Sequence, residues 1–163
     1  MTEQLTREPI SARDTIRQTR IQKLAELADK GINPYPYVFD KNANAADLQE
    51  KYKDLEAGVE TDDEYSVAGR VMAIRNSGMF IDLMDVTGKI QIFSHKENMA
   101  EDAIKTLKLV DIGDIVGFTG TIRRTPRGEL SIKVVDFEIL VLIIYSLFSN
   151  IIPRIYKVNL LKY

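Results

Sequence analysis

The sequence predicts a mainly β fold: a five-stranded Greek-key barrel with a helical segment before it and one helix between its third and fourth strands. Three observations predict it. From Tyr65 onward, apolar and polar residues alternate with period two in short runs, as half-buried strands require. Turn chemistry separates those runs at Asp85-Val86-Thr87-Gly88, Asp111-Ile112-Gly113-Asp114 and Thr125-Pro126-Arg127-Gly128. Before Tyr65, and again after residue 98, the spacing becomes that of a helix.

The elements follow in order. Ser11, with Asp14 three residues later, is a variant capping box, and good helix formers run on to Lys30. Gly31 suits the position after a helix, and Pro34 and Pro36 forbid continuation. One stripe of this helix, Arg13, Arg17, Arg20, Leu24 and Leu27/Ala28, is basic in its first half and apolar in its second. It reads either as a solvated start with a packed end, or as a docked end with a basic half overhanging toward a polyanion. A second short helix is expected over 45–55, where Leu48, Tyr52 and Leu55 share a face. The acidic stretch Asp54, Glu56, Glu60, Asp62, Asp63 and Glu64, with Gly58, reads as a solvated linker.

Strands are expected over 65–74 (Gly69 a candidate bulge), 79–84, 89–93, 115–123 and 129–135, with a helix over 99–107. Three strands, a helix and two strands is the order of an OB-fold, a barrel whose outer face commonly binds oligonucleotides. The expected organisation is residues 1–62 as tail, helix and acidic linker, 63–140 as the barrel, and 141–163 as an apolar tail.

Composition removes several classes of function. No cysteine is present, which excludes disulfide scaffolds, thiol catalysis and thiolate metal sites. His95 is the single histidine, too few for a multi-histidine zinc site, and nothing around it resembles a nucleophile elbow. Residues 1–11 lack an apolar stretch of signal-peptide length, so a cytoplasmic location is expected. The apolar run 139–152 is interrupted by Ser146, Ser149 and Asn150 and falls short of the roughly 20 residues a span needs, so no membrane partner is expected. Residues 63–135 hold ten basic and ten acidic side chains, which argues against strong nonspecific binding of nucleic acid.

Filling the barrel with Met79, Ile81, Leu83, Ile90, Ile92, Leu130, Ile132 and Val134 leaves a polar face outside. On it stand Phe80, Gln91 and Glu129, contributed by strands two, three and five, which are neighbours in an OB-fold. An aromatic face stacks a base, worth about 1–3 kcal/mol. A glutamine amide offers a donor and an acceptor to a uracil edge. A carboxylate only accepts, so Glu129 suits the uracil N3–H or orients the Gln91 amide. Arg75, at the end of the first strand, is placed for a base oxygen or phosphate, and Arg123, Arg124, Arg127 and Lys133 for the RNA backbone. The plainer alternative is a covered aromatic, a solvated Gln and Glu, and a solvated basic turn.

At these residues the sequence resembles the class II lysine–tRNA ligase (lysyl-tRNA synthetase) family, in its N-terminal anticodon-binding domain. The resemblance is carried by Arg20-Ile-Gln-Lys-Leu-Ala-Glu-Leu27, Gly31-Ile-Asn-Pro-Tyr-Pro36, Val67-Ala-Gly-Arg-Val-Met-Ala-Ile-Arg75, Gly88-Lys-Ile-Gln-Ile92, Asp114 and Arg124-Thr-Pro-Arg-Gly-Glu-Leu-Ser-Ile132, over about residues 15–140. Aspartyl and asparaginyl relatives share the barrel and read the same central uridine, so the flanking motifs carry the lysyl assignment. The resemblance implies a lysine-type tRNA as partner, with Phe80 as base stacker, Gln91 as amide reader, Glu129 as carboxylate reader and Arg75 at the end of the first strand. It implies no cofactor in this chain, ATP and magnesium serving the full-length enzyme, and a possible homodimer. No catalytic residue is expected here.

After Leu140 the family continues into a catalytic domain, whereas residues 141–163 are rich in Ile, Leu, Tyr, Asn and Lys and resemble nothing in it. The expectation is a truncated gene with an out-of-frame tail; the alternatives are an oligomerising sixth strand or a membrane-associating stretch. A free-standing OB-fold module that binds nucleic acid or dimerises is the alternative function.

Overall fold

A computed structural model describes residues 11–144. The first ten residues and 145–163 lie outside it, and with them most of the apolar tail and its three readings. Helix α1 spans Ala12–Asp29 and α2 spans Ala45–Lys51. Strands follow as β1 (Glu60–Arg75), β2 (Phe80–Met84), β3 (Lys89–Phe93), β4 (Ile115–Arg124) and β5 (Leu130–Val141). Helix α3 (Glu101–Leu107) sits between β3 and β4, and a 3-10 turn (Asn76–Gly78) joins β1 to β2. The sheet closes in the order β1-β2-β3-β5-β4, with β4 returning to β1. Every pairing is antiparallel except β3 with β5.

Alternation fills the barrel as the sequence requires. Ile81, Leu83, Ile90, Ile92, Leu130, Ile132 and Val134 are all at most 3% exposed, joined by Val67, Val71, Val116, Phe118 and Ile122. Met79 departs from the expectation: it follows the 3-10 turn outside β2 and is only half-buried. Gly69 is not a bulge. A Cβ there would lie 2.5 Å from the Met84 carbonyl oxygen, so the glycine permits a close approach of β1 and β2, while the register shift falls between Val71 and Ala73.

Two boundaries also move. The acidic stretch is not all linker, because β1 begins at Glu60 and pairs with Arg123, so the expected boundary at residue 62 falls inside a strand. β5 runs past Val135 because its register shifts there: Gly120 pairs with Val134 and Thr119 with Asp136. The extra residue flips the parity, so Phe137 and Ile139 pair with the inward Phe118 and Val116, and a second shift sets Val141 opposite Ile115. Val141 therefore belongs to the barrel, and Leu142, 2% exposed, to its core.

Helix α1 is capped as predicted, the Asp14 backbone N–H donating to Ser11 Oγ at 3.2 Å. Its apolar half docks, with Leu27 fully buried and Leu24 against the core. Arg20 does not overhang: its Nη1 lies 2.8 Å from Asp114 and 3.2 Å from Asp111, and Lys23 pairs with Asp111 as well. Asp114 is fully buried and also accepts the backbone N–H of Asp111 (2.8 Å) and Ile143 (2.9 Å). Burial pushes its carboxyl above the usual range, against those N–H groups and Arg20. Among the described residues, no helix is long and apolar enough to cross a membrane.

Candidate nucleic-acid interface

The register of β2, β3 and β5 decides which outward side chains meet. Phe80 pairs with Phe93, Asp82 with Gln91, Gln91 with Ser131, and Phe93 with Lys133. One face therefore carries Phe80, Gln91 and Phe93, with Glu129 at its edge. The Phe80 and Phe93 rings lie 5.3 Å apart, and Phe93 stacks on His95 at 5.9 Å with the rings 9° from parallel. The Arg123 guanidinium sits 4.3 Å above the Phe93 ring.

Gln91 is 5% exposed and both ends of its amide are engaged. Its Nε2 donates to Glu129 Oε2 at 2.6 Å, and its Oε1 accepts from Ser131 Oγ at 2.7 Å. A carboxylate accepts only, so the amide nitrogen must face Glu129. The sequence suggested an amide offering both donor and acceptor. With Ser131 occupying Oε1, what remains is one N–H, beside the free oxygen of the exposed Glu129. A donor next to an acceptor, flanked by the half-buried Phe80 ring, complements a flat heterocycle with a carbonyl next to an N–H.

The cations divide. Arg75 Nη2 lies 2.5 Å from Asp82 Oδ1, on the strand pair that also holds Phe80. Lys133 and Arg123 share Glu60, at 2.7 and 3.4 Å, and the Lys133 hydrogen bond holds the Glu60 carboxyl below its usual range. Arg127 is exposed at the tip of the β4–β5 hairpin, where Gly128 takes φ +89°. Arg124 is the correction. It points to the other side of β4, donating to the carbonyls of Gly128 (2.6 Å) and Tyr52 (2.7 Å), and ties the hairpin to the end of α2 rather than facing a ligand. Among the described residues, no group of three or more potential metal-ligating side chains is present.

Sequence reasoning missed Phe93 and His95 as parts of this face, although alternation put Phe93 beside Gln91. It also missed Ser131, the residue that orients the amide, and Glu60, the counter-charge for two of the cations. Those two are set by strand pairing, which the local pattern does not reveal.

A closed five-stranded barrel with an aromatic and polar outer face defines an OB-fold nucleic acid binding domain. Residues 65–140 match the family model with that description, the tRNA anti-codon family. The chain is homologous to the N-terminal part of lysine–tRNA ligases. It is 50% identical over 123 residues to the lysine–tRNA ligase of Agrobacterium fabrum (76% of this chain, 25% of that protein). It is 49% identical over 125 residues to that of Rhizobium leguminosarum bv. trifolii (77% and 25%) and 47% over 136 to that of Gloeobacter violaceus (79% and 27%). The chain spans about a quarter of the length of these relatives.

Proposed function

We propose that this chain holds the anticodon loop of a lysine-type tRNA and reads its central uridine. It does so as the anticodon-binding part of a lysine–tRNA ligase, which would join lysine to its tRNA in the cytoplasm, using ATP and magnesium bound elsewhere in the full-length enzyme. The same reading includes a homodimer of that enzyme.

One observation carries it: the Gln91–Glu129 hydrogen bond, 2.6 Å long, beside Phe80 on one face. Uracil presents O4 or O2 to the free amide N–H and N3–H to the free carboxylate oxygen, while Phe80 stacks on the ring. With the ring held in that pose by Phe80, cytosine would turn its N3 lone pair toward the carboxylate, costing about 1–3 kcal/mol. Arg75 lies at the end of β1 beside Phe80, Arg127 is exposed for the RNA backbone, and Arg123 and Lys133 would reach that backbone by exchanging Glu60 for phosphate. Titrating an anticodon stem-loop with a central uridine, and the same stem-loop with cytosine there, tests the reading. Equal affinities would refute it.

A further inference from the structure

We propose that the buried Asp114 carboxylate couples helix α1 to the chain leaving β5, so that the unit of residues 12–36 clasps residues 142–143 and sets the direction in which the chain leaves the barrel. The clasp uses side chains that the uridine reading leaves idle.

It has two points, and both are reached from the unit that precedes the barrel. The Tyr35 hydroxyl donates to the Leu142 carbonyl at 3.2 Å. The Ile143 N–H donates to Asp114 Oδ1 at 2.9 Å, and the same oxygen accepts Arg20 Nη1 from α1 at 2.8 Å. One oxygen atom thus joins the helix to the departing chain. The other, Oδ2, accepts the Asp111 N–H at 2.8 Å, and Arg20 Nη2 donates to the Ile112 carbonyl at 3.1 Å. Tyr35 is placed by Asn33, whose Oδ1 accepts its backbone N–H at 3.0 Å, in the turn that Gly31 opens after α1 with φ +69°. Leu142, 2% exposed, lies between the two points, so the clasp also seals the core where the chain departs.

The two holds are coupled because Asp114 can follow neither partner. Its carbonyl accepts the Val71 N–H at 2.9 Å, and the Gly113 N–H donates to the Val71 carbonyl at 2.8 Å, which pins the backbone to β1. Its side chain is fully buried, and that of Arg20 is 13% exposed. The charged groups around it are Arg20 and Lys23 on α1, Asp111 in the turn and Arg70 on β1. Lys23 pairs with Asp111, and Arg70 Nη1 donates to the Gly113 carbonyl at 3.0 Å. Arg20 is therefore the cation that pairs with Asp114 among the described residues. If α1 withdraws, the carboxylate must take up a proton or admit water. Either event weakens the Ile143 hydrogen bond, because a bond to an ionised acceptor is roughly twice as strong as a neutral one, and water competes for the oxygen. Release of Ile143 opens the same oxygen to water from the β5 side and weakens the Arg20 pair in turn, as coupling between two sites requires.

Exchange of backbone amides, followed by NMR on the 15N-labelled full chain, tests the proposal. Ile81 and Ile92, buried and paired across β2 and β3, report opening of the whole barrel. In Arg20→Met the Ile143 amide should exchange about tenfold faster than in the parent and faster than Ile81 and Ile92, at a rate insensitive to low urea, the mark of local opening. Tyr35→Phe spares α1 and Asp114. In that variant Ile143 and, by reciprocity, the Leu24 amide of α1 should both exchange about fivefold faster. An Ile143 amide that exchanges in Arg20→Met as in the parent, or only in step with Ile81 and Ile92, overturns the proposal, since Arg20 would then support the barrel without holding the departing chain. A Leu24 amide that keeps its parent rate in Tyr35→Phe overturns it as well, and that variant decides alone should Arg20→Met not fold.

Discussion

Glu129 accepts hydrogen bonds and cannot donate them, and its neighbour Gln91 has already given its acceptor to Ser131. The pair is therefore directional, and on the proposed reading, with the ring fixed by Phe80, that direction would separate the N3–H of uracil from the bare N3 of cytosine. Replacing the carboxylate by an amide removes that constraint, because an amide can turn its nitrogen toward cytosine N3. Glu129→Gln is expected to shrink the preference for a central uridine by about 1–3 kcal/mol while leaving the fold intact, since the side chain is exposed. Paired titrations of the uridine and cytosine stem-loops measure it, and an undiminished preference would show that Glu129 does not read the base. Phe80→Ala should behave differently. Stacking is tolerant of base identity, so both stem-loops are expected to weaken alike by about 1–3 kcal/mol. Phe80, Gln91 and Glu129 were legible because alternation isolates three unusual side chains on an outer face. Ser131 and Glu60 were not, because their roles arise from parallel pairing of β5 with β3 and from the far end of β1, neither of which a local pattern encodes.

Helix α2 shows the same limit at the level of an element. Its N-cap residue, Asn44, makes no capping hydrogen bond with its side chain. The β2–β3 turn supplies the cap instead: Asp85 Oδ2 accepts the Ala45 N–H at 2.9 Å, and Thr87 Oγ1 accepts that of Ala46 at 3.1 Å. Asp85 also pairs with Lys41 at 3.1 Å. Burial alone would raise its carboxyl, but hydrogen bonds from Thr87 and Ala45 and the Lys41 charge lower it, from 3.8 to about 2. A folded-state value below the unfolded one gives stability that is complete above about pH 4 and lost as pH falls through 2. Asp85→Ala should therefore destabilise at pH 7, by about 1–2 kcal/mol for the lost cap alone. Urea denaturation at pH 7 and pH 2.5 checks this: the gap between variant and parent should narrow at the lower pH, and a constant gap would contradict the assignment. Helix α1 makes a related case. Arg20→Met leaves Asp114 buried without its cation, a change that costs about 3–5 kcal/mol when a buried pair is broken. Burial already holds the Asp114 carboxyl above its unfolded value, so the unfolded chain loses this proton first as pH rises. The Arg20→Met penalty should thus ease at acidic pH, where the carboxyl is neutral.

The molecule as a whole closes its sheet through backbone approaches that the sequence marks only by glycine. A Cβ on Gly120 would run into the Lys133 carbonyl on β5, and one on Gly117 into the ring of Phe39, which covers β4 from the segment before α2. Strand order and core filling were readable from period and turns. The length of β5 was not, because the extra residue at Val135 reverses the inward parity on which the reading depended. Closure also decides which of the molecule's charges would be free for RNA on the proposed reading. Ten cations balance ten carboxylates across residues 63–135, and the fold places several as partners: Lys133 and Arg123 on Glu60, Arg75 on Asp82, Arg124 on backbone carbonyls. Few charges are left to displace counterions, so binding should draw mainly on base contacts and depend weakly on salt. Arg127, exposed at the hairpin tip, forms no ion pair among the described residues and lies two residues from Glu129. Arg127→Ala is expected to weaken uridine and cytosine stem-loops equally and to reduce the salt slope by about 0.7, the contribution of one phosphate on a single strand. A loss confined to the uridine stem-loop would make Arg127 a reader of the base rather than of the backbone, and an unchanged slope would remove it from the interface.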